Sequence, residues 1–426
     1  MVEEQVVNTN GLDVHVMNTN KYKTTTFVLQ IKANLSKETA THRALLASVL
    51  KSATEQFPSR KEIRLYLDDL YGASFSADVA RKGENHIISL KFETANEKFL
   101  KDDSSLFTKS IQFLKEVLEN PYFEGDNQFS EKIVREEKRT LKQKMASIYD
   151  DKIRYANKRL VEEMCKGEAY AVHPFGDQET LDTITSDDLK QEYERLLQED
   201  DIRLYIVGDI DVKQAEEAAQ IFSVTSRNAS SALEEGYSKK DKVNEVTETD
   251  DIQQGKLHLG YRTEVMFNDE RFPAMQVMNG LFGGFPHSKL FMNVREKESM
   301  AYYAASRYES LKGLMFVFAG IEAVKYEKAV DIIKKQLEDM KEGQFSEEAV
   351  EQTKGMVKNQ LLETADSARG LVELSYQHVI AGSDRSLSDW LKAIDKVSKD
   401  DVIKAAQTVE LDTSYFLRGK EVNHGQ

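Results

Sequence analysis

An internal repeat with a period of about half the chain constrains these 426 residues more than any other feature. Gln128-Phe129-Ser130-Glu131 opens one helical stretch, and Gln344-Phe345-Ser346-Glu347 opens another. Phe57-Pro58-Ser59-Arg60-Lys61 is matched by Phe285-Pro286-His287-Ser288-Lys289. TSDDL, from Thr185 to Leu189, is matched by SKDDV, from Ser398 to Val402. RLYIVGD, from Arg203, is matched by SYFLRGK, from Ser414. Four matches in one order, all at an offset of roughly 210–230 residues, are hard to obtain by chance and require two related halves.

Each half has the same internal pattern. Phe27, Leu29 and Ile31 alternate with other residues in the first half, and Leu257, Leu259 and Tyr261 do so in the second. Period-two alternation predicts a half-buried strand. A helix follows, over Arg43 to Ala53 in one half and Pro273 to Leu281 in the other. Next comes a helix leading into a strand pair, with Ile88, Leu90 and Phe92 on one face of HIISLKFE. Long amphipathic helices follow, and a last strand closes each half. Strands in hairpins with helices grouped around them predict an α+β fold: two homologous α/β sandwich halves, each a mostly antiparallel sheet packed with helices. The segment RNASSALEEGYSKKDKVNEV is polar and without clear period, as linkers are. The expected division is a domain over residues 1–227, a linker over 228–248 and a second domain over 249–426.

Composition narrows the function. The net charge of −15 disfavours binding to phosphate backbones, so no nucleic-acid partner is expected. No apolar run approaches the ~20 residues that a membrane span needs. MVEEQVVNTNGLD has neither a basic nor an apolar stretch of the kind a signal peptide has, so a cytoplasmic protein without a membrane partner is expected. The single cysteine, Cys165, excludes an internal disulfide framework and a thiolate zinc site, and with no histidine adjacent it makes a poor nucleophile. The acidic pairs Asp68-Asp69, Asp150-Asp151 and Asp250-Asp251 are expected at solvated helix ends or in loops.

Two segments carry a family resemblance. Tyr170 to Leu197 reads YAVHPFGDQETLDTITSDDLKQEYERLL and is followed by RLYIVGDID. It resembles the pitrilysin/insulinase family of zinc peptidases in its His-Pro-x-Gly turn, its Thr-x-x-Asp-Leu helix start and its strand ending in Val-Gly-Asp. Asn279 to Ser306, NGLFGGFPHSKLFMNVREKESMAYYAAS, is similar to the same family's glycine turn, Ser-x-Leu-Phe helix, Arg-Glu pair and Ala-Tyr strand start. The resemblance covers nearly the whole chain and implies a LuxS/mitochondrial-processing-peptidase-like fold.

Catalytic members of that family carry His-x-x-Glu-His on a helix of the first half. Positions i and i+4 share a helical face, so two imidazoles reach one zinc ion, and the intervening Glu acts as base on zinc-bound water. In RALLASVLKSATEQFPS the two His positions fall on Ala44 and Ser48, and the Glu falls on Ala47. The distal Glu ligand, seven residues beyond Glu137, falls on Lys144. The resemblance therefore implies a degenerate metal site. Independently of it, the eight histidines stand at 15, 42, 86, 173, 258, 287, 378 and 424, and no two lie close enough for a local zinc motif. His42 is expected at the surface or in a capping role.

The second half differs. The family's substrate-holding Arg and Tyr match Arg295 and Tyr302, whereas the position matching Tyr302 in the first half is Ser74. An Arg fork and a phenol can both donate to a peptide carbonyl. On their own, these residues would equally suit an ion pair for Arg295 and sheet packing for Tyr302. Gly283 and Gly284 form a turn, which the resemblance would place along a substrate chamber.

The resemblance, with its metal positions lost and its Arg and Tyr kept, implies a non-catalytic, substrate-holding subunit of a heterodimeric zinc metallopeptidase acting on peptides. Its partner would be a catalytic insulinase-family chain bearing His-x-x-Glu-His. No cofactor is expected in this chain, and zinc is expected in the partner. From a different class, a homodimeric peptide-binding or scaffold protein without peptidase activity fits the same residues.

Overall fold

The computed structural model describes residues 2–9, 12–101, 105–125, 127–223, 242–298 and 300–420. Its strands are β1 (Glu4–Thr9), β2 (Leu12–Asn18), β3 (Thr24–Asn34), β4 (Ser74–Lys82), β5 (Asn85–Ala95), a small pair β6 (Phe123–Glu124) and β7 (Gln128–Phe129), and β8 (Asp201–Gly208). Then come β9 (Asn244–Asp250), β10 (Gly255–Arg262), β11 (Ala301–Glu309), β12 (Leu314–Ile321) and β13 (Glu410–Gly419). The helices are α1 (Lys37–Leu50), α2 (Arg60–Asp69), α3 (Leu106–Glu119), α4 (Glu131–Asp150), α5 (Lys152–Met164), α6 (Gln178–Thr183) and α7 (Ser186–Glu199). They continue with α8 (Val212–Ala219), α9 (Phe272–Asn279), α10 (Tyr326–Lys341), α11 (Glu347–Ala365), α12 (Ala368–Ala381), α13 (Leu387–Asp395) and α14 (Lys399–Gln407).

The chain forms two compact units. One takes the described residues within 1–147, 172–234 and 366–375, and the other those within 148–171, 235–365 and 376–426. In the first, the strand order is β1-β2-β8-β3-β5-β4. Strands β2 and β8 run parallel and the other neighbours antiparallel. In the second, the order is β9-β13-β10-β12-β11, with β9 and β13 parallel and the rest antiparallel. The second sheet thus follows the first from β2 onward, strand for strand. This is the predicted α+β architecture of two sandwich halves with mostly antiparallel sheets.

The alternating residues occupy the expected face. Phe27, Leu29 and Ile31 pair with Phe92, Leu90 and Ile88, and all six are buried. The opposite face is covered too, since Val28 and Gln30 are also buried. Residues on both faces of this central strand are buried, so the half-buried expectation for β3 does not hold. Helix α1 starts at Lys37, six residues before the expected Arg43, because Ser36 takes the extended conformation of an N-cap. The matched TSDDL and SKDDV segments form equivalent capping boxes, Thr185 with Asp188 and Ser398 with Asp401.

The expected linker over 228–248 lies largely outside the described residues. Its last part, 244–248, belongs to β9, which adds in parallel to β13. As an edge strand β9 tolerates the polar sequence NEVTETD, and this explains its linker-like composition. Helix α5 is also placed differently from the expected division: it covers the sheet of the second unit. Ala156, Leu160, Val161 and Met164 pack on Leu314, Phe316, Tyr415 and Leu417. Residues 366–375 belong to the first unit, where Tyr22 Oη donates to the Asp366 carbonyl at 3.0 Å and Ser375 Oγ donates to Glu4 Oε1 at 2.7 Å. Among the described residues, no helix is long and apolar enough to cross a membrane.

Candidate functional site

In the first unit, the three zinc-motif positions lie on α1. Ala44 and Ala47 are 3% and 2% exposed and belong to the main apolar core. Ser48, 9% exposed, donates its hydroxyl to the Ala44 carbonyl at 3.3 Å. Lys144 lies exposed on α4. Two methyl groups, a neutral hydroxyl and an ammonium supply no imidazole, carboxylate or thiolate of the kind zinc coordination takes, so these residues do not fit the ion. Among the described residues, no group of three or more His, Cys, Asp or Glu could hold a metal.

The local charge is positive. Glu137 is almost fully buried and is held by Arg60 and by Ser52 Oγ, which donates to Glu137 Oε1 at 2.6 Å. Lys51, one turn beyond Ala47, is pushed below the usual lysine range, first by burial and then by the charges of Lys144 and Arg60. Where a divalent cation would be bound by carboxylate and imidazole, this chain assembles cations of its own around one engaged carboxylate.

Helix α1 is anchored by a buried network that the sequence reading did not identify. Arg43 is fully buried. Its Nη1 lies 2.7 Å from Asp200 Oδ2 and 3.4 Å from Glu192 Oε1. Its Nε donates to His86 Nδ1 at 3.3 Å, and His86 Nε2 then donates to the Pro174 carbonyl at 2.8 Å. Burial lifts the Asp200 carboxyl to about 6, against the pull of Arg43. Burial, aided by the Arg43 charge, lowers the His86 imidazole to about 4. The His-Pro-x-Gly turn thus carries a structural load. Its Gly176, at φ +68°, passes so close to Thr41 that a Cβ would fall 1.9 Å from Thr41 Oγ1. The available signal was an arginine inside the apolar run of α1, since a buried guanidinium requires carboxylate partners.

In the second unit, Arg295 and Tyr302 lie on consecutive elements. Residues Leu290–Lys297 wind as a π-helix that packs against β11. Such wide turns recur at functional sites. The Arg295 guanidinium stacks 4.6 Å from the Phe291 ring, and Glu296 Oε1 lies 3.5 Å from its Nε. Its side chain remains 42% exposed. Tyr302 is 68% exposed, well outside the sheet packing that a purely structural tyrosine would show. It sits where the β11–β12 register slips between Ala301 and Tyr303. A bulge of this kind re-aims a side chain away from the sheet. No sequence signal had indicated this bulge.

The glycines divide in role. Gly283 is buried, and a Cβ there would come 2.6 Å from the Ser306 backbone N, so close packing against β11 requires it. Gly284 is exposed. Both lie in a π-helical turn, Gly280–Gly284.

Residues 183–357 match the family model described as Peptidase M16 inactive domain. The chain is similar to "Probable inactive metalloprotease YmfF" of Bacillus subtilis, with 46% identity over 412 residues and 96% of each protein covered. It is similar in structure to a conserved protein from Enterococcus faecalis V583, with a TM-score of 0.91, 32% identity and 99% of each chain covered. A protease from Helicobacter pylori superposes with a TM-score of 0.80 over 98% of this chain and 99% of its own, at 16% identity, a likeness of fold alone.

Proposed function

The chain belongs to the M16 (pitrilysin/insulinase) peptidase family as an inactive member, and on that premise we propose that it is the substrate-holding subunit of a heterodimeric zinc metallopeptidase. The partner is a catalytic family member bearing His-x-x-Glu-His and the zinc. This chain contributes the Arg295 fork and the Tyr302 hydroxyl, which donate to the backbone of an extended peptide and fix the carbonyl to be attacked.

One observation carries the reading. Tyr302 is exposed at a bulge on an edge strand, while the metal positions of α1 carry two methyl groups and a hydroxyl. A protein that has lost chemistry but kept an exposed, re-aimed donor on the strand after a half-exposed arginine suits a division of labour between two chains. The test is reconstitution with the zinc-bearing chain. Arg295→Ala and Tyr302→Phe are each expected to lower peptide cleavage by roughly tenfold or more, with zinc content and 1:1 assembly unchanged. Unchanged turnover in both variants would sink the substrate-holding role. Recovery of this chain as a dimer of itself, with no activity gained from the partner, would favour a peptide-binding scaffold.

A further inference from the structure

Strand β11 is the outermost strand of the second sheet and is paired only through β12. Its free edge has unpaired backbone groups, the requirement for adding a strand. The registers β11–β12 and β12–β10 align three rows: Tyr303 with Gly320 and Lys256, Ala305 with Phe318 and His258, and Arg307 with Phe316 and Gly260. Directly paired residues share a face. On this face Ala305 and Arg307 are exposed and Phe318 is half-buried.

The exposed strip is cationic in an otherwise acidic chain. The Arg307 guanidinium lies 5.6 Å from the Phe316 ring and 5.7 Å from the Phe318 ring, over an aromatic floor. Lys256 Nζ lies 5.8 Å from the Tyr303 ring and hydrogen-bonds Gln254 at 2.8 Å. Neither Arg307 nor Lys256 has an ion-pair partner among the described residues. The neighbouring carboxylate of Asp151 is occupied, accepting from the Ile153 and Arg154 backbone and pairing with the Arg154 side chain at 3.1 Å. Buried Tyr303 Oη and both ring nitrogens of fully buried His258 also lack partners among the described residues. The strip therefore offers positive charge on either side of the small residue Ala305.

We propose that β11, with Lys256 and Arg307 beside it, docks an extended peptide carrying acidic side chains at alternate positions. An added strand places every second side chain on this face. A carboxylate opposite Ala305 then lies on the outer side of β11, diagonal to Arg307 on the same face, where the guanidinium fork favours carboxylate over amide. The inference rests on the reading that the chain holds a peptide, and it names the class of peptide.

The experiment uses the full chain alone. Fluorescence anisotropy follows fluorescein-labelled peptides of about ten residues, alternating Thr with Glu, Gln or Lys. The Glu peptide is expected to bind at least about tenfold tighter than the Gln peptide, with the advantage shrinking in salt. Arg307→Glu should reverse the order in favour of the Lys peptide, and Lys256→Gln should reduce the Glu preference. Arg295→Ala should weaken all three peptides by a similar factor. Equal affinity for Glu and Gln peptides overturns the charge selection; if Arg295→Ala still weakens both, the peptide-holding reading survives. A Glu preference that depends on Arg307 but ignores Arg295 and Tyr302 keeps the docking strip and removes the Arg/Tyr role. Binding of no peptide, or a self-associated chain that Arg307→Glu turns monomeric, overturns the proposal.

Discussion

His258 illustrates how burial decides the behaviour of a single residue. It is fully buried and edge-on to Phe318 at 4.9 Å. Burial, reinforced by the charges of Lys256 and Arg307, lowers its imidazole from 6.5 to about 3. Above pH 6.5 the ring is neutral in both folded and unfolded chains and contributes no slope. Below 6.5 the unfolded chain takes up a proton that the folded chain refuses, so stability falls as pH falls until about 3. His258→Phe should remove this part of the slope, amounting to about 1.4 kcal/mol per pH unit at most. His86 contributes a slope of the same sign, and Asp200, lifted to about 6, one of the opposite sign. The comparison of variant with parent isolates the His258 part. Urea unfolding at about pH 7 and about pH 5 checks it, and parallel pH dependences in the two proteins would refute it.

At the scale of elements, helix α5 depends on Arg262. From β10, Arg262 Nε donates to Asp412 Oδ2 at 2.8 Å, and Nη2 donates to the Met164 carbonyl at 2.9 Å, at the end of the helix. It also pairs with Glu168, which Lys312 approaches at 2.9 Å. Arg262→Met would remove the cation paired with buried Asp412 and deprive the end of α5 of its clamp, at a cost of roughly 3–5 kcal/mol. Hydrogen exchange should rise most over 152–164, and a loss spread evenly over the second unit would show that Arg262 does not anchor this helix. This contact also marks a limit of what the sequence revealed. Strand alternation placed Phe27, Leu29, Ile31, Leu257, Leu259 and Tyr261 on buried faces correctly, because period two is a local property of the backbone. The amphipathic pattern of α5 shows that it has an apolar face but not which sheet that face covers. The same limit applied to the candidate site. Ala44, Ala47, Ser48 and Lys144 could be read as non-ligands once the family resemblance had placed the motif on them. The Arg43 network and the bulge at Tyr302 depend on residues far apart in sequence, such as Asp200 and Gly320.

For the molecule as a whole, the two units are interleaved along the chain. Residues 148–171 precede the expected linker in sequence yet belong to the second unit, and 366–375 follow it yet belong to the first. A cut within 228–248 therefore does not separate the units. It gives two fragments, each lacking a piece of the unit it mostly encodes. Without α5, the second-half fragment exposes Phe316, Tyr415 and Leu417. Uncovering side chains of this size costs about 1.5–3 kcal/mol each, a large share of the stability of a domain. Residues 1–227 and 228–426, expressed separately, should each lack a cooperative unfolding transition. Mixed, or produced by nicking the folded chain, they should co-elute at the mass of the intact protein and unfold in one transition. Cooperative folding of each fragment alone would mean that the repeated halves are autonomous, and that the placement of α5 and of 366–375 contributes little to either.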